Sequence, residues 1–371
     1  MKVLVVYASC GAGHFKAAEA IYETLRQRLP ADDVQLEDIL SHANAIFKFC
    51  YTIGYTFLAT RARVFWAIGF WLTQVRWLGR FPRNLAVFLD TANTQVFSRM
   101  LIRENPDVMV ATHFVPSIIA ANLKRTGAIS SRLITVITDF GAHPFWISPG
   151  IDQYAVASDF VKTQLVDAGV PEEKIGVWGI PIDARFTRQY DRKIVAQRNG
   201  LNPDLFTVLV MTGSFGSGPL EEIAEALHRD TQVLVVCSAN VKLFDRLKKK
   251  NLSQVFAYVQ VPNMQELMAC ADVIITKPGG LTISESLAMN LVPLFITPIP
   301  GQETYNMREL AKKGIGYRPR NVREIKACIL DFKQHPEKLK AVQRKIQDFK
   351  KPHAATKICD EICQGGGGSS C

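Results

Sequence analysis

Lys277-Pro278-Gly279-Gly280-Leu281-Thr282-Ile283-Ser284-Glu285 is the stretch from which the fold can be read. The apolar run Val273-Ile274-Ile275-Thr276 before it has the character of a buried strand, and Ser284-Glu285-Ser286-Leu287-Ala288 has that of a helix start. A strand, a glycine pair and a helix N-terminus together form an anion site. The glycines let backbone N–H groups approach phosphate oxygens, and the helix dipole favours negative charge. Glu285, one turn into the helix, is placed to reach a ribose hydroxyl pair. A second Pro/Gly-flanked loop follows, Pro300-Gly301-Gln302-Glu303-Thr304-Tyr305-Asn306, whose Gln302-Glu303 pair can read sugar hydroxyls. Phosphate, ribose and hexose contacts on one half of a chain describe a nucleotide-sugar site.

Working outward, a related unit precedes this one. Phe206–Met211 reads as a strand, Gly213-Ser214-Phe215-Gly216-Ser217-Gly218 as a Gly-rich turn and Leu220–Leu227 as a helix. No Gly-Lys-Ser/Thr follows, so it is not a P-loop, and its expected task is to approach a pyrophosphate with backbone N–H groups. Strands at Val233–Cys237, Val255–Tyr258 and Pro293–Thr297 complete the series. The first half has the same grammar. The strand Val3–Tyr7, the turn Ala8–His14 and a helix from Lys16 open it, and Val108–Ala111, Leu133–Ile137, Gln153–Ala157 and Lys174–Val177 continue as strands. The spacing predicts an α/β protein of two Rossmann-like domains facing across a cleft. The expected divisions are 1–180, a linker at 181–205, 206–350, and a C-terminal segment at 351–364. The Gly/Ser-rich end, 365–371, is kept out of the fold argument.

The first turn, Gly11-Ala12-Gly13-His14, has Lys16 where a dinucleotide fingerprint has its third glycine. Glu37 and Asp38 are only loose candidates for its acidic residue, so no nicotinamide cofactor is expected. The turn places His14 in the first turn of a helix at a strand's carboxyl edge, where the helix dipole disfavours imidazolium and keeps the ring able to accept a proton. Asp139 and His143, in Thr138-Asp139-Phe140-Gly141-Ala142-His143-Pro144-Phe145-Trp146, also follow a buried strand. Either is placed to orient His14 or an acceptor hydroxyl. No Asp-x-Asp and no local metal-ligand spacing appears, so no metal is expected, and helix N-termini after the two glycine turns are left to neutralise a departing diphosphate.

From Ile39 to Leu89 there is no acidic residue, yet the stretch holds six Lys or Arg, and eleven aromatics lie between Phe47 and Phe81. Its cations interrupt every run of about 18 apolar residues, so it does not read as a membrane span. Basic residues mixed with Trp, Phe and Tyr suit the headgroup layer of an anionic bilayer. Phe57, Arg61, Arg63, Trp66, Trp71, Arg76 and Trp77 are the expected contacts, with Gly13 on the acceptor side. No nucleic-acid module surrounds the stretch, and no nucleic acid is expected as a partner. The net charge of +10 agrees with an anionic partner. Eight scattered cysteines and no leader segment before Val3 point to reduced thiols and a cytosolic setting.

Taken in order, Gly11-x-Gly13-His14, Thr138-Asp139-Phe140…His143…Trp146, Gly179-Ile180-Pro181-Ile182, Lys277-Pro278-Gly279-Gly280 and Pro300-Gly301-Gln302-Glu303…Asn306 resemble the diacylglycerol glycosyltransferases. These comprise the bacterial processive diacylglycerol β-glucosyltransferases and the plant monogalactosyldiacylglycerol synthases, and the likeness runs over roughly residues 1–350. The resemblance implies a GT-B fold and inverting, metal-independent chemistry. It implies a UDP-sugar donor in the C-terminal domain and a diacylglycerol acceptor, with anionic lipids as partners, reached by a peripheral protein at the cytoplasmic face of a membrane. His14 would then be the base, with Asp139 and His143 beside it. The donor set would be Gly213, Ser214, Phe215, Gly216, Val259 and Met264. From the second motif it would take Lys277, Pro278, Gly279, Gly280, Leu281, Thr282 and Glu285, and from the loop Gly301, Gln302, Glu303 and Asn306. The turns at Ser9–Gly13 and Gly213–Gly216 are looser than the plant pattern, which favours glucose over galactose. A UDP-sugar epimerase and a non-catalytic lipid- or nucleotide-binding protein are the rival readings. The acid-free stretch argues against the first, and His14 with Glu303 against the second.

Overall fold

The computed structural model describes residues 1–54, 93–213 and 216–364. The chain divides into two compact units. One comprises Met1–Asp183, Ile299–Tyr305 and His353–Cys371, and the other Ala184–Pro298 and Asn306–Pro352.

The first unit holds a six-stranded sheet of β1 (Val3–Tyr7), β2 (Val34–Asp38), β3 (Val108–Ala111), β4 (Arg132–Val136), β5 (Gln153–Ala155) and β6 (Ile175–Gly176). Their order is β2-β1-β3-β4-β5-β6, and every pairing is parallel. Val3 stands opposite Val34 on one side and Val108 on the other. β3 is buried at all four positions and β1 at its first four, because helices cover both faces of a parallel sheet; such strands therefore read as unbroken apolar runs. Edge strand β2 differs: only Val34 is fully buried, and the strand ends in Glu37 and Asp38.

On one face, Ala18, Ile21 and Leu25 of the helix Ala12–Arg26 pack with Val3, Val5 and Val110. The same cluster takes in Ile358, Cys359 and Ile362 from the helix Ala354–Gln364, so the end of the chain completes the core of its beginning. Ion pairs Arg28–Asp360 and Arg132–Glu361 border that contact, and the Arg132 guanidinium also donates to the Glu361 carbonyl at 2.8 Å.

The second unit holds β7 (Thr207–Met211), β8 (Gln232–Val236), β9 (Val255–Tyr258), β10 (Val273–Thr276) and β11 (Val292–Phe295), in the order β11-β10-β7-β8-β9 and again all parallel. The stretch expected to be a linker carries a helix, Arg192–Arg198. Asp191 caps it, and Arg192 is held by both carboxylate oxygens of Asp272 at 2.6 and 3.0 Å. Helices at Val322–Gln334 and Pro336–Phe349 follow the last strand.

Both sheets reverse direction in the way that builds sites in open α/β folds. In the first, the chain runs outward from β1 to β2, then crosses to place β3 on the other side of β1. In the second it runs β7, β8, β9, then crosses to place β10 on the other side of β7. Loops leaving the carboxyl ends of β1 and β3, and of β7 and β10, therefore diverge and leave a crevice at each switch point. Among the described residues no helix is long and apolar enough to cross a membrane.

Candidate functional site

At the first switch point the loops after β1 and β3 meet through His14. Gly11 caps the helix Ala12–Arg26 at φ +118°, a backbone that side-chain-bearing residues rarely adopt. Asp38, at the end of β2, fastens the turn by accepting from the Ser9 N–H at 3.1 Å and the Leu40 N–H at 3.0 Å. This carboxylate thus holds a turn, whereas the dinucleotide pattern would have used it for a ribose.

His14 Nδ1 lies 2.7 Å from the Thr112 carbonyl oxygen, and the Thr112 hydroxyl donates back to the His14 carbonyl at 2.9 Å. Thr138 Oγ1, beyond the end of β4, is 3.0 Å from the same nitrogen. A carbonyl oxygen only accepts, so Nδ1 carries the proton and Nε2 keeps its lone pair. Burial holds the His14 pKa below its ordinary 6.5, opposed by the Thr112 bond. A neutral ring with a free Nε2 is what a general base requires.

His113, just after β3, stands edge-on to His14 with ring centroids 4.8 Å apart. It is buried, and its Nδ1 accepts the Val115 N–H at 3.2 Å, capping the helix Phe114–Arg125. Burial and the neighbouring His14 hold its pKa well below 6.5. The ligating atoms of Cys10, His14 and His113 fall within 4.8 Å of one another. Burial pushes the Cys10 thiol up to about 12, so it is protonated near neutral pH. Of the other expected residues here, His143 is buried and caps the turn Pro144–Trp146, its Nδ1 accepting the Phe145 N–H at 3.3 Å. Asp139 is partly buried beside Thr138 in sequence. The groups on Nδ1 just described, Thr112 and Thr138, were not singled out from sequence, and neither was His113. Their only sequence signal is that all three stand just past the carboxyl end of an apolar strand.

At the second switch point a hydrogen bond between described residues joins the turn after β7 to the turn after β10. Lys277 Nζ donates to Ser217 Oγ at 2.8 Å. Gly213, Gly216 and Gly218 have φ of +74°, +53° and +124°. At Gly216 a side chain would also lie 2.0 Å from the Cys237 carbonyl oxygen, and the Gly216 carbonyl accepts from Asn240 Nδ2 at 3.0 Å. Gly279 caps the helix Gly280–Ala288, with nothing within 4 Å of where its side chain would begin, so the N–H groups of that first turn are approachable. Leu281, Thr282 and Glu285 sit on this helix, all partly exposed. Buried Asn306 donates to the Pro278 carbonyl at 2.9 Å and so ties the Gln302–Lys313 helix to the Pro278-Gly279 turn. Gly301 takes φ +102°, and the Glu303 carboxylate accepts the Ile299 N–H at 2.6 Å, closing its own loop beside Gln302. Val259 directly follows edge strand β9, and Met264 opens the helix Met264–Cys270 that leads on to β10. Ser214 and Phe215, and the expected membrane residues Phe57, Arg61, Arg63, Trp66, Trp71, Arg76 and Trp77, lie outside the described residues.

Known proteins share this fold. The family model of monogalactosyldiacylglycerol synthase matches residues 14–182, and that of the glycosyltransferase family 28 C-terminal domain matches residues 207–358. Among solved structures, Acinetobacter baumannii MurG superposes with a TM-score of 0.62 at 14% identity, covering 98% of this chain and all of that one. The UDP-GlcNAc 2-epimerase of Neisseria meningitidis, bound to UDP-GlcNAc, superposes at 0.61 with 12% identity over 98% of this chain and 100% of that one. These likenesses establish the GT-B fold, which transferases and epimerases share. The sequence relatives discriminate further. The processive diacylglycerol β-glucosyltransferase of Bacillus cereus is 30% identical over 97% of this chain and 93% of its own length, and that of Bacillus thuringiensis is 29% identical over 98% and 93%. With that identity along nearly the whole of both chains, the protein is a glycosyltransferase and belongs to the diacylglycerol glucosyltransferase family.

Proposed function

We propose that the protein transfers a hexose, glucose in the first instance, from a UDP-sugar to the hydroxyl of diacylglycerol at a membrane surface, with inversion at the anomeric carbon. The observation that carries this reading is the His14 imidazole: neutral, its Nδ1 proton committed to the Thr112 carbonyl, its Nε2 free. Nε2 takes the proton of the acceptor hydroxyl as that oxygen attacks the anomeric carbon from the face opposite UDP. General-base assistance of this kind contributes roughly 10²–10⁴-fold. The electron pair of the breaking bond passes to the diphosphate, which the N–H groups of the two glycine turns receive. Glu285 holds the ribose, and Gln302 and Glu303 hold the hexose. No step in this scheme uses a metal or a cofactor.

The acceptor's place follows from the acid-free stretch, Ile39–Leu89, whose cations and aromatics suit an anionic surface. The described residues that follow it agree in character: Val96 and Ile102 are apolar and exposed, and Arg99 and Arg103 stand on the same helix, Gln95–Glu104. The curated relatives are named processive, and successive addition to the product glycolipid is part of the reading.

Incubation with diacylglycerol vesicles and a panel of UDP-sugars, followed by mass and anomeric analysis of the lipid extract, tests it. A β-glucosyl diacylglycerol, with a disaccharide product at longer times, is expected from UDP-glucose. A galactolipid would move the donor assignment to UDP-galactose. Conversion of the UDP-sugar to its epimer without glycolipid would overturn the transfer reading. Co-sedimentation with anionic vesicles that weakens as salt rises is expected as well. Indifference of the folded protein to such vesicles would remove the membrane assignment.

A further inference from the structure

Lys277 is a side-chain cation tied to the glycine-rich turn after β7. Lys277 leaves the carboxyl end of β10, and Ser217 stands in the turn after β7. These strands are parallel neighbours with Thr276 opposite Met211. The 2.8 Å bond from Lys277 Nζ to Ser217 Oγ therefore spans the switch point itself. In making it, Ser217 uses a lone pair and keeps its own O–H proton for another acceptor.

A second observation marks the same place as one that something other than protein completes. Thr212 Oγ1 and Thr297 Oγ1 are buried hydroxyls without a hydrogen-bond partner among the described residues, and Thr212 is 2% exposed. Both residues flank Gly218: a side chain there would begin 3.6 Å from Thr297 Oγ1 and 3.8 Å from the Thr212 methyl. Thr297 also takes φ +42°, an outlier for a β-branched residue, and such strain collects at ligand sites. Two such hydroxyls beside one turn can donate to water or to an anion placed there.

We propose that Lys277 supplies the cation that neutralises the departing diphosphate, and that Ser217 is the positioning residue that aims it. The proposal rests on the donor-site reading above and deepens it. As the acceptor oxygen bonds to the anomeric carbon, the carbon–oxygen bond to the β-phosphate breaks and its electron pair stays on the phosphate oxygen. The acceptor proton goes to His14 Nε2. Lys277 remains an ammonium throughout, and its N–H bond to that oxygen strengthens as charge builds there. It therefore acts more on the transition state than on the bound donor. The Ser217 hydroxyl limits the rotamers of a long, flexible side chain and adds an O–H donor to the same anion.

The experiment compares the full-length parent with K277M, K277R, S217A and S217T. It measures UDP and uridine affinity by calorimetry or ligand-observed NMR, and kcat for glycolipid formation. Uridine lacks the phosphates, so the ratio of its Kd to that of UDP isolates the anion contact. K277M should shrink that ratio about 10- to 100-fold, the range for a lost hydrogen bond to a charged group, while uridine itself binds as before. Its kcat should fall about 10²–10³-fold, as when one transition-state donor is removed. S217A should shift both quantities in the same direction by less, and S217T should restore them; this rescue is not expected if the serine only packs the turn. Thermal unfolding checks each variant, and if K277M does not fold, K277R and the serine pair still decide. A folded K277M with an unchanged ratio overturns the cation assignment. S217A matching the parent while K277M does not overturns the positioning role. A parent that binds neither UDP nor uridine overturns the donor site itself.

Discussion

Replacing His14 with alanine removes the imidazole that the first switch point is built to hold. The loss can be sized from the site. Thr112 and Thr138 hold Nδ1 at 2.7 and 3.0 Å, which fixes the ring with its proton on Nδ1 and leaves Nε2 its lone pair for the proposed proton transfer. A positioned base contributes roughly 10²–10⁴-fold, which at 1.36 kcal/mol per decade is about 2.7–5.4 kcal/mol of barrier. Single-turnover transfer from a saturating UDP-sugar to diacylglycerol vesicles should slow by that factor. UDP affinity should not change, because the glycine turns and Lys277 belong to the other unit. The pH profile gives an independent check. Burial lowers the His14 pKa, so the base stays neutral and competent below pH 6.5, and the acid limb of kcat/KM should lie beneath that value in the parent. The same sign applies to stability. His14 and His113 are both depressed in the fold, so the stabilisation they carry is present above the unfolded value near 6.5 and is lost as pH falls through the folded values. If H14A keeps parental turnover, or loses UDP affinity in proportion to rate, the acceptor-side base is refuted.

Glu285→Ala should weaken UDP binding by about 1–3 kcal/mol by stranding a ribose hydroxyl pair, and calorimetry with UDP and its 2′,3′-dideoxy analogue reads this directly: equal losses for both ligands would deny the ribose contact. Gly216→Ala forces a left-handed backbone on alanine and drives its Cβ to within 2.0 Å of the Cys237 carbonyl oxygen, so the turn must shift, and donor KM should rise at least tenfold, a figure of about 1.4 kcal/mol. Ile358→Ala leaves a cavity among fully buried residues on the sheet's helical face and should cost about 2–5 kcal/mol in denaturant unfolding, with UDP affinity intact in the variant while it remains folded.

Much of the fold was legible because of how parallel sheets bury their strands. Val3–Tyr7, Val108–Ala111 and Val273–Thr276 are apolar without interruption, each followed by turn residues, and their observed bounds match the runs. Elsewhere ends moved by a residue or two, as when Val233–Cys237 became Gln232–Val236, a shift ordinary for strand boundaries. β2 was harder to see: an edge strand needs only one covered face, and Val34-Gln35-Leu36-Glu37-Asp38 offers two apolar residues among polar ones. The role of the helix Ala354–Gln364 was also hidden. Its Ile358, Cys359 and Ile362 show an apolar face, but nothing local says that this face belongs to a core begun at Val3.

The sites divide along the same line. The turns at Gly11 and at Gly213–Gly218 declare themselves locally, since positive φ, and at Gly216 a close approach as well, favours glycine there. Which turns meet is a property of strand order, and strand order is set by crossovers that no short window contains. His14 and Thr112 are 98 residues apart, and Lys277 and Ser217 are 60 apart, yet each pair closes one switch point. The sequence singles out His14 and predicts a neutral ring, on the ground of the helix dipole. In the structure burial is the first cause of that neutrality, and the proton stays on Nδ1, which donates it to the Thr112 carbonyl. That difference has chemical consequences. A carboxylate at Nδ1 would raise the pKa of the ring and stabilise the imidazolium formed in the reaction, whereas a carbonyl does so less. With burial lowering its pKa and a carbonyl at Nδ1, His14 stays able to accept a proton below its ordinary 6.5, and under the proposed mechanism more of the driving force then comes from the leaving-group side assigned to Lys277 and the glycine turns after β7 and β10.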